Sequence, residues 1–179
     1  AMTCSVGRTH RGRVYMGGDS ASVQGWTRRQ TALKKVFRRG PFLIGYTSSF
    51  RMGQLLEHHL DVPKQAARQD DMAYMVTGFI ESARKLLKDK GFTKVESNSE
   101  TGGQFLVGYR GQLYTVHRDF QVGHVADGMD AVGSGREYAL GSLYALDKLG
   151  PTSRIKRALA ITAYFNAAVA PPFVVRSMA

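Results

Sequence analysis

The sequence holds a single cysteine, Cys4, a single tryptophan and only five prolines among 179 residues. One thiol cannot build an internal disulfide framework or a cysteine-cluster zinc site, and a reducing cytoplasm is the simplest expected setting. Long apolar runs are missing too. A stretch such as Pro41-Phe42-Leu43-Ile44-Gly45 falls far short of the roughly 20 residues that cross a bilayer, so no membrane partner is expected. Residues 1–15 mix arginines with glycines and lack the apolar centre of a secretory signal. His10, His58, His59, His117 and His124 show no metal-ligand grouping, and the adjacent His58 and His59 cannot share one ion from a helix face. No metal or other cofactor is expected. Acid is scarce: 14 Asp and Glu stand against 25 Lys and Arg, a net charge of +11.

A basic balance supplies phosphate affinity through counterion release, or it serves solubility and acidic partners. The cations fall in small clusters: Arg8, Arg11 and Arg13, then Arg28 and Arg29, then Lys34, Lys35, Arg38 and Arg39. Neither the aromatic interleaving of an RNA-binding sheet nor a zinc-finger spacing accompanies them, so nucleic acid is not the expected partner.

What is present is ordinary for a globular chain: 43% hydrophobic and 22% charged residues, with no linker, repeat or low-complexity stretch. One domain over 1–179 is expected. Its first half reads as short strands joined by glycine turns. Thr3–Gly7 and Arg13–Gly17 flank Gly12, and Lys35–Arg38 and Phe42–Tyr46 flank Arg39-Gly40-Pro41. A helical stretch with Met52, Leu55, Leu56 and His59 follows. A clearer one has Met72, Met75, Val76, Phe79, Ile80, Ala83, Leu86 and Leu87 at three- and four-residue spacing, with Asp70 or Asp71 as its cap. Residues 96–103 read as a polar loop, and 104–109 with 112–116 as a hairpin around Arg110-Gly111.

Ala131-Val132-Gly133 reads as a strand running into Ser134-Gly135 and a helix with Tyr138, Leu140, Leu143, Tyr144 and Leu146. The last helix carries Ile155, Leu159, Ile161 and Phe165, capped by Thr152 or Ser153, before Pro171-Pro172 and a strand at 173–175. The Met and aromatic stripes on these helices are expected to face the core. Strands, two helices, strands, two helices and a strand spell an α+β domain with helices layered on antiparallel sheets.

Taken in order, Thr3-Cys4-Ser5-Val6-Gly7, Gly17-Gly18-Asp19-Ser20, Lys34-Lys35-Val36-Phe37, Leu43-Ile44-Gly45-Tyr46 and Val132-Gly133-Ser134-Gly135 resemble a proteasome β-type subunit, nearest the bacterial HslV type and related bacterial or phage homologues. The resemblance spans nearly the whole chain. It implies the N-terminal-nucleophile (Ntn) hydrolase fold, an αββα sandwich of two antiparallel sheets between helix layers. It also implies a cytoplasmic threonine endopeptidase acting on peptides or unfolded proteins, assembled as a homo-oligomeric ring and often fed by an ATP-dependent unfoldase. Residues 72–88 and 49–52 are then candidate ring contacts.

The chemistry explains the residue types. A threonine hydroxyl attacks an amide only with a base in reach, and the α-amine of an N-terminal threonine, with a pKa of roughly 8, can serve. A nearby lysine favours the oxyanion, and an aspartate orients the lysine. By resemblance Thr3 is the nucleophile, Asp19 the carboxylate, Lys35 the lysine and Ser134 the serine beside the α-amine. Asp19 and Lys35 follow Thr3 by 16 and 32 residues. The oxyanion site and substrate pocket would involve Thr47, Ser48, Ser22 and Leu33, with a backbone amide near Thr47 or Ser48 as donor. Each residue has a plainer reading. Thr3 is a good strand residue, Asp19 suits an Asx turn, Ser134 suits a helix cap, and Lys35 against Lys34 depends on strand facing. Cys4, next to Thr3 on a strand, would point the other way and act as a small buried hydrophobe.

The chain departs from the family's pattern at three places. Thr47 stands where the family keeps Gly or Ala, and Tyr164–Ala168 lacks the aspartate many members place there. Ala1 and Met2 precede Thr3. Met2 is read as the initiator and Ala1 as a residue left from expression; if both remain, the amine is locked in an amide and the protein is inactive. Self-cleavage is not expected, because no glycine precedes Thr3. A small-molecule amidase or transpeptidase on the same scaffold, or a non-catalytic basic ring protein, are the rival readings.

Overall fold

The computed structural model describes residues 3–179; the expectations for Ala1 and Met2 lie outside the described residues. Strands β1 (Cys4–His10) and β2 (Arg13–Gly18) form the hairpin expected around Gly12. β5 (Val36–Arg39) and β6 (Phe42–Tyr46) form the next, and β9 (Phe105–Tyr109) and β10 (Gln112–Val116) a third around Arg110-Gly111. With β11 (Val122–Gly123), β12 (Met129–Gly133) and β13 (Val174–Met178) they make two antiparallel sheets. One runs β12-β1-β2-β13, the other β11-β10-β9-β6-β5.

Helices cover the outer face of each sheet. α1 (Phe50–His59) lies on the second sheet with a broken helix made of α2 (Asp71–Tyr74), a π-helical turn (Met75–Phe79) and α3 (Ile80–Asp89). α4 (Arg136–Ala145) and α5 (Pro151–Phe165) lie on the first. The central strands are therefore covered on both faces, and they read as continuous apolar runs for that reason. In β6, Phe42, Ile44 and Tyr46 pack with Met52, Leu55, Phe79 and Ala83. Leu43, of opposite parity, meets Val14, Met16, Leu106 and Val132 in the seam between the sheets. Cys4 and Val6 of β1 pack instead with Leu143, Ile155 and Leu159. This is the layering of helices on antiparallel sheets expected from the order of elements, in the αββα form that the resemblance implies.

Several local expectations give way. Residues 96–103 are not a plain loop: β7 (Lys94–Glu96) pairs with β8 (Ser99–Thr101) across Ser97-Asn98, both at positive φ (49° and 66°). The polar side chains hid this ribbon, because it buries little and shows no apolar alternation. A second ribbon, β3 (Ala21–Gln24) with β4 (Thr27–Gln30), went unread for the same reason. Asp70 is the cap before Asp71, accepting from Ala73 N at 3.0 Å. α5 is not capped by Thr152 or Ser153. It starts at Pro151, whose missing N–H costs nothing in a first turn, with Gly150 O accepting from Arg154 N at 2.8 Å. The final strand begins at Val174 and runs to Met178.

The aromatic stripes are not uniformly core. Tyr138, Tyr144 and Phe165 are exposed, as are Val76 and His59, so the buried faces of α4 and α5 rest on small and aliphatic residues such as Ala139, Leu143, Ile155, Ala158 and Leu159. Tyr138 stacks on Phe165 with centroids 5.4 Å apart, outside the core.

Gly53 sets how closely α1 approaches β6. A Cβ at this position would come within 2.2 Å of the Tyr46 ring. Overpacking against a rigid buried ring costs about 1–3 kcal/mol, and the helix propensity of alanine returns about 1. Gly53→Ala is therefore expected to lower the unfolding free energy by up to about 2 kcal/mol, read by urea denaturation.

Candidate active site

Thr3 enters β1 at the mouth of the seam between the sheets, Asp19 follows β2, and Lys35 precedes β5. The β1–β2 hairpin brings Asp19 back beside the start of β1, since Ser5 pairs with Gly18. The β5–β6 hairpin places Lys35 opposite Tyr46, whose N–H donates to Lys35 O at 3.0 Å. Parity then sorts the side chains. Thr3 and Ser5 face the second sheet, and Ser5 Oγ donates to Tyr46 O at 2.9 Å. Cys4 faces the helices. Lys35 is buried, facing this seam, and Lys34 is exposed.

Thr3, Asp19 and Lys35 meet at one atom. Asp19 Oδ1 accepts from Thr3 Oγ1 at 2.6 Å, from Lys35 Nζ at 2.9 Å and from Cys4 N at 3.1 Å. Its Oδ2 accepts from Ala21 N at 2.8 Å and Ala170 N at 3.3 Å. Lys35 Nζ also donates to Ala21 O at 2.6 Å and stands 5.8 Å from the centre of the Phe50 ring. The Lys35 and Asp19 side chains are 2% and 0% exposed, so this is a fully desolvated ion pair. Burial pushes the Lys35 ammonium below the ordinary lysine range, while the charge and hydrogen bond of Asp19 act against that shift. The Thr3 hydroxyl thus reaches the lysine's field through the shared carboxylate oxygen.

Ser134 follows β12 and its Oγ donates to Thr3 O at 3.4 Å, so the contact it makes with Thr3 is to the carbonyl. Gly135, not Ser134, caps α4. Asn166, at the end of α5, was missed. Its Nδ2 donates to Ser134 O at 2.9 Å and lies 3.4 Å from Ser134 Oγ, while its Oδ1 accepts from Ala168 N at 3.0 Å. An amide at the terminus of the last helix, and not a carboxylate, bridges Ser134 to the Ala168 backbone. Gly133 is held at φ 105°, and a Cβ there would lie 2.1 Å from Thr3 O and 3.0 Å from Thr47 Oγ1.

The expected oxyanion and pocket residues are placed less uniformly. Thr47 N donates to Gln104 O at 3.2 Å, so that amide is already engaged and is not the expected oxyanion donor. Ser48, at φ 73°, accepts from Gln104 N through its Oγ at 3.2 Å. A small cavity of about 20 Å³, room for one water, sits beside Thr3 and is lined by Val23, Lys35, Tyr46, Thr47, Ser49 and Phe50. Ser22 and Leu33 do not line it. Val23 does, because alternate residues of a strand face opposite sides. Leu33 lies on the far side of Asp19, in a separate cavity with Pro172 and Val174.

Cys4 is not a rival nucleophile. Burial, with the Asp19 charge adding, pushes its thiol up to about 12, against the pull of Lys35. Tyr46 is likewise pushed up to about 12, first by burial. Among the described residues no cluster of His, Cys, Asp or Glu is arranged to hold a metal ion, and no helix is long and apolar enough to cross a membrane.

Two outcomes follow. Asp19→Ala leaves an uncompensated buried ammonium and is expected to cost about 3–5 kcal/mol, whereas Asp19→Ala with Lys35→Met recovers most of it; chemical denaturation of both variants reads the difference. Cys4 is expected to resist iodoacetamide at mildly alkaline pH in the native protein and to react fully once unfolded, as followed by intact mass.

No family profile matches the sequence, and no curated protein sequence matches it. Solved structures do. BPH from Thiobacillus denitrificans, in complex with epoxomicin, superposes with a TM-score of 0.82 over 98% of both chains at 19% identity. HslV from Trypanosoma brucei gives 0.68 over 98% of both chains at 16% identity. Anbu, an ancestral β-subunit from Yersinia bercovieri, gives 0.67 over 98% of this chain and 81% of its own at 14% identity. With two antiparallel sheets between helix layers and these neighbours along its whole length, the chain has the Ntn-hydrolase fold of proteasome-type β subunits.

Proposed function

We propose that the chain is a threonine-type peptidase subunit that cleaves peptide bonds through an acyl-enzyme on Thr3. The observation that carries this reading is the meeting of the Thr3 hydroxyl and the Lys35 ammonium on one buried oxygen of Asp19. When Thr3 is the first residue, its α-amine takes the hydroxyl proton as Oγ1 bonds to the substrate carbonyl carbon. The tetrahedral oxyanion is stabilised by the positive charge of Lys35. The amine returns the proton to the departing nitrogen, the C–N bond breaks, and water then hydrolyses the ester by the same route. Asp19 holds Lys35 and Thr3 in register, and Asn166 holds Ser134 against the Thr3 carbonyl.

Assembly into a homo-oligomeric ring with the sites facing an inner chamber belongs to the same proposal. It is supported by the likeness to HslV and Anbu and by the exposed aromatic rings of Tyr138, Tyr164 and Phe165 on the outer face of α4 and α5. Peptides and unfolded proteins are the proposed substrates, with an unfoldase as feeder.

Protein beginning at Thr3, verified by intact mass and N-terminal sequencing, is expected to take one adduct from a threonine-directed peptide epoxyketone. Thr3→Ala is expected to lose both the adduct and peptide turnover while keeping its thermal transition. A folded protein with a free Thr3 that takes no adduct, or a Thr3→Ala protein that still cleaves, overturns the reading.

A further inference from the structure

A cavity of about 670 Å³ shares Thr47 and Ser49 of its lining with the small one beside Thr3. Gly133 and Ser134, which contact Thr3, close one end of the large cleft, and Lys94 and Arg118 lie along its wall. The volume is that of a site for an extended ligand several groups long.

Its charge is one-sided. No carboxylate lines the cleft, while two cations do. Among the described residues neither Lys94 nor Arg118 forms an ion pair with a carboxylate, and both are exposed. The acids close by in sequence are committed elsewhere: Glu100 pairs with Arg84 at 2.6 Å, and Asp119 accepts from Gln121 N at 3.1 Å. Glu96 is on the Lys94 strand but does not line the cleft. Ser49, on the shared wall, is the N-cap of α1, whose first turn holds no acid, so the positive end of that helix dipole faces the same space. A wall with cations, a helix N-terminus and no acid favours anionic groups and repels cationic ones.

We infer that this cleft is a substrate site selective for acidic side chains, with Lys94 and Arg118 as specificity-determining residues for peptides carrying Asp or Glu near the bond presented to Thr3. The inference rests on the peptidase reading for its substrate class, but binding can be measured without turnover. Two solvent-exposed charge contacts give a preference of about two- to thirtyfold, which falls as salt rises.

The test uses fluorescein-labelled hexapeptides that differ only by Glu, Gln or Lys at successive positions, titrated by anisotropy against Thr3→Ala protein at low and high salt. At one or more positions the order Glu, Gln, Lys is expected, compressed at high salt. Lys94→Glu with Arg118→Glu, both exposed and remote from the core, is expected to reverse it. Equal binding of Glu and Gln peptides at every position, or a preference for Glu that survives the double reversal, overturns the inference. The same peptides given to protein beginning at Thr3 separate the two readings. Cleavage without acidic preference removes the cleft assignment and keeps the peptidase, whereas acidic preference in binding without any cleavage does the opposite.

Discussion

Asp19 is the residue on which the rest of the site depends. A carboxylate with no solvent exposure is expensive to bury, and it is tolerated here because every direction around it supplies a donor: the hydroxyl of Thr3, the ammonium of Lys35, and backbone N–H groups of Cys4, Ala21 and Ala170. Those donors come from the start of β1, the entry to β3, the entry to β5 and the segment before β13. One side chain therefore fixes four stretches of chain far apart in sequence, and the geometry around Thr3 is a by-product of satisfying a buried charge. Stability and chemistry draw on the same bonds at this position, while at Thr3 they separate.

The two sheets make this possible by leaving a seam between them. Leu43, Leu106, Val14 and Met16 fill its centre, and the polar groups cluster at its mouth, where Ser5 links the sheets through Tyr46 O. Desolvation follows from position: Thr3 and Lys35 are buried although each stands one residue before its strand. The same desolvation lowers the pKa of Lys35 and raises those of Cys4 and Tyr46. A single environment thus keeps the thiol next to Thr3 protonated and inert and holds the hydroxyl on the carboxylate that Lys35 neutralises.

Much of this was legible in the sequence, for physical reasons that differ from element to element. The central strands were readable because double coverage makes them continuous apolar runs, and their turns because Gly12, Gly111 and the Gly40-Pro41 pair constrain the backbone. Thr3, Asp19 and Lys35 were singled out through the resemblance to proteasome β-type subunits, whose order and separation of these residue types they match. Ser22 was misplaced because strand parity on the polar β3–β4 ribbon is invisible without apolar alternation, and Val23 took the wall; Leu33 lies past that ribbon, in the segment leading to β5, and lines a different cavity. Tyr138 and Phe165 were misread as core because periodicity reports a shared helix face and not what covers it. Asn166 went unseen because the pattern sought a charge where the structure uses an amide that donates. The oxyanion amide was expected near Thr47 or Ser48, and the engagement of Thr47 N by Gln104 O could not be seen because that pairing spans a distance in sequence that no local pattern encodes.

Gly133 closes β12 against the chain entering β1, with the carbonyl of Thr3 where a side chain would begin. The position of the nucleophile is therefore gauged by an atom that is not there. A single methyl at 133 would lie 2.1 Å from that carbonyl oxygen and act as a wedge, so the chain that carries the nucleophile into β1 would have to shift. A narrow mechanical tolerance thus lies in a residue with no functional group, on the strand that pairs with β1.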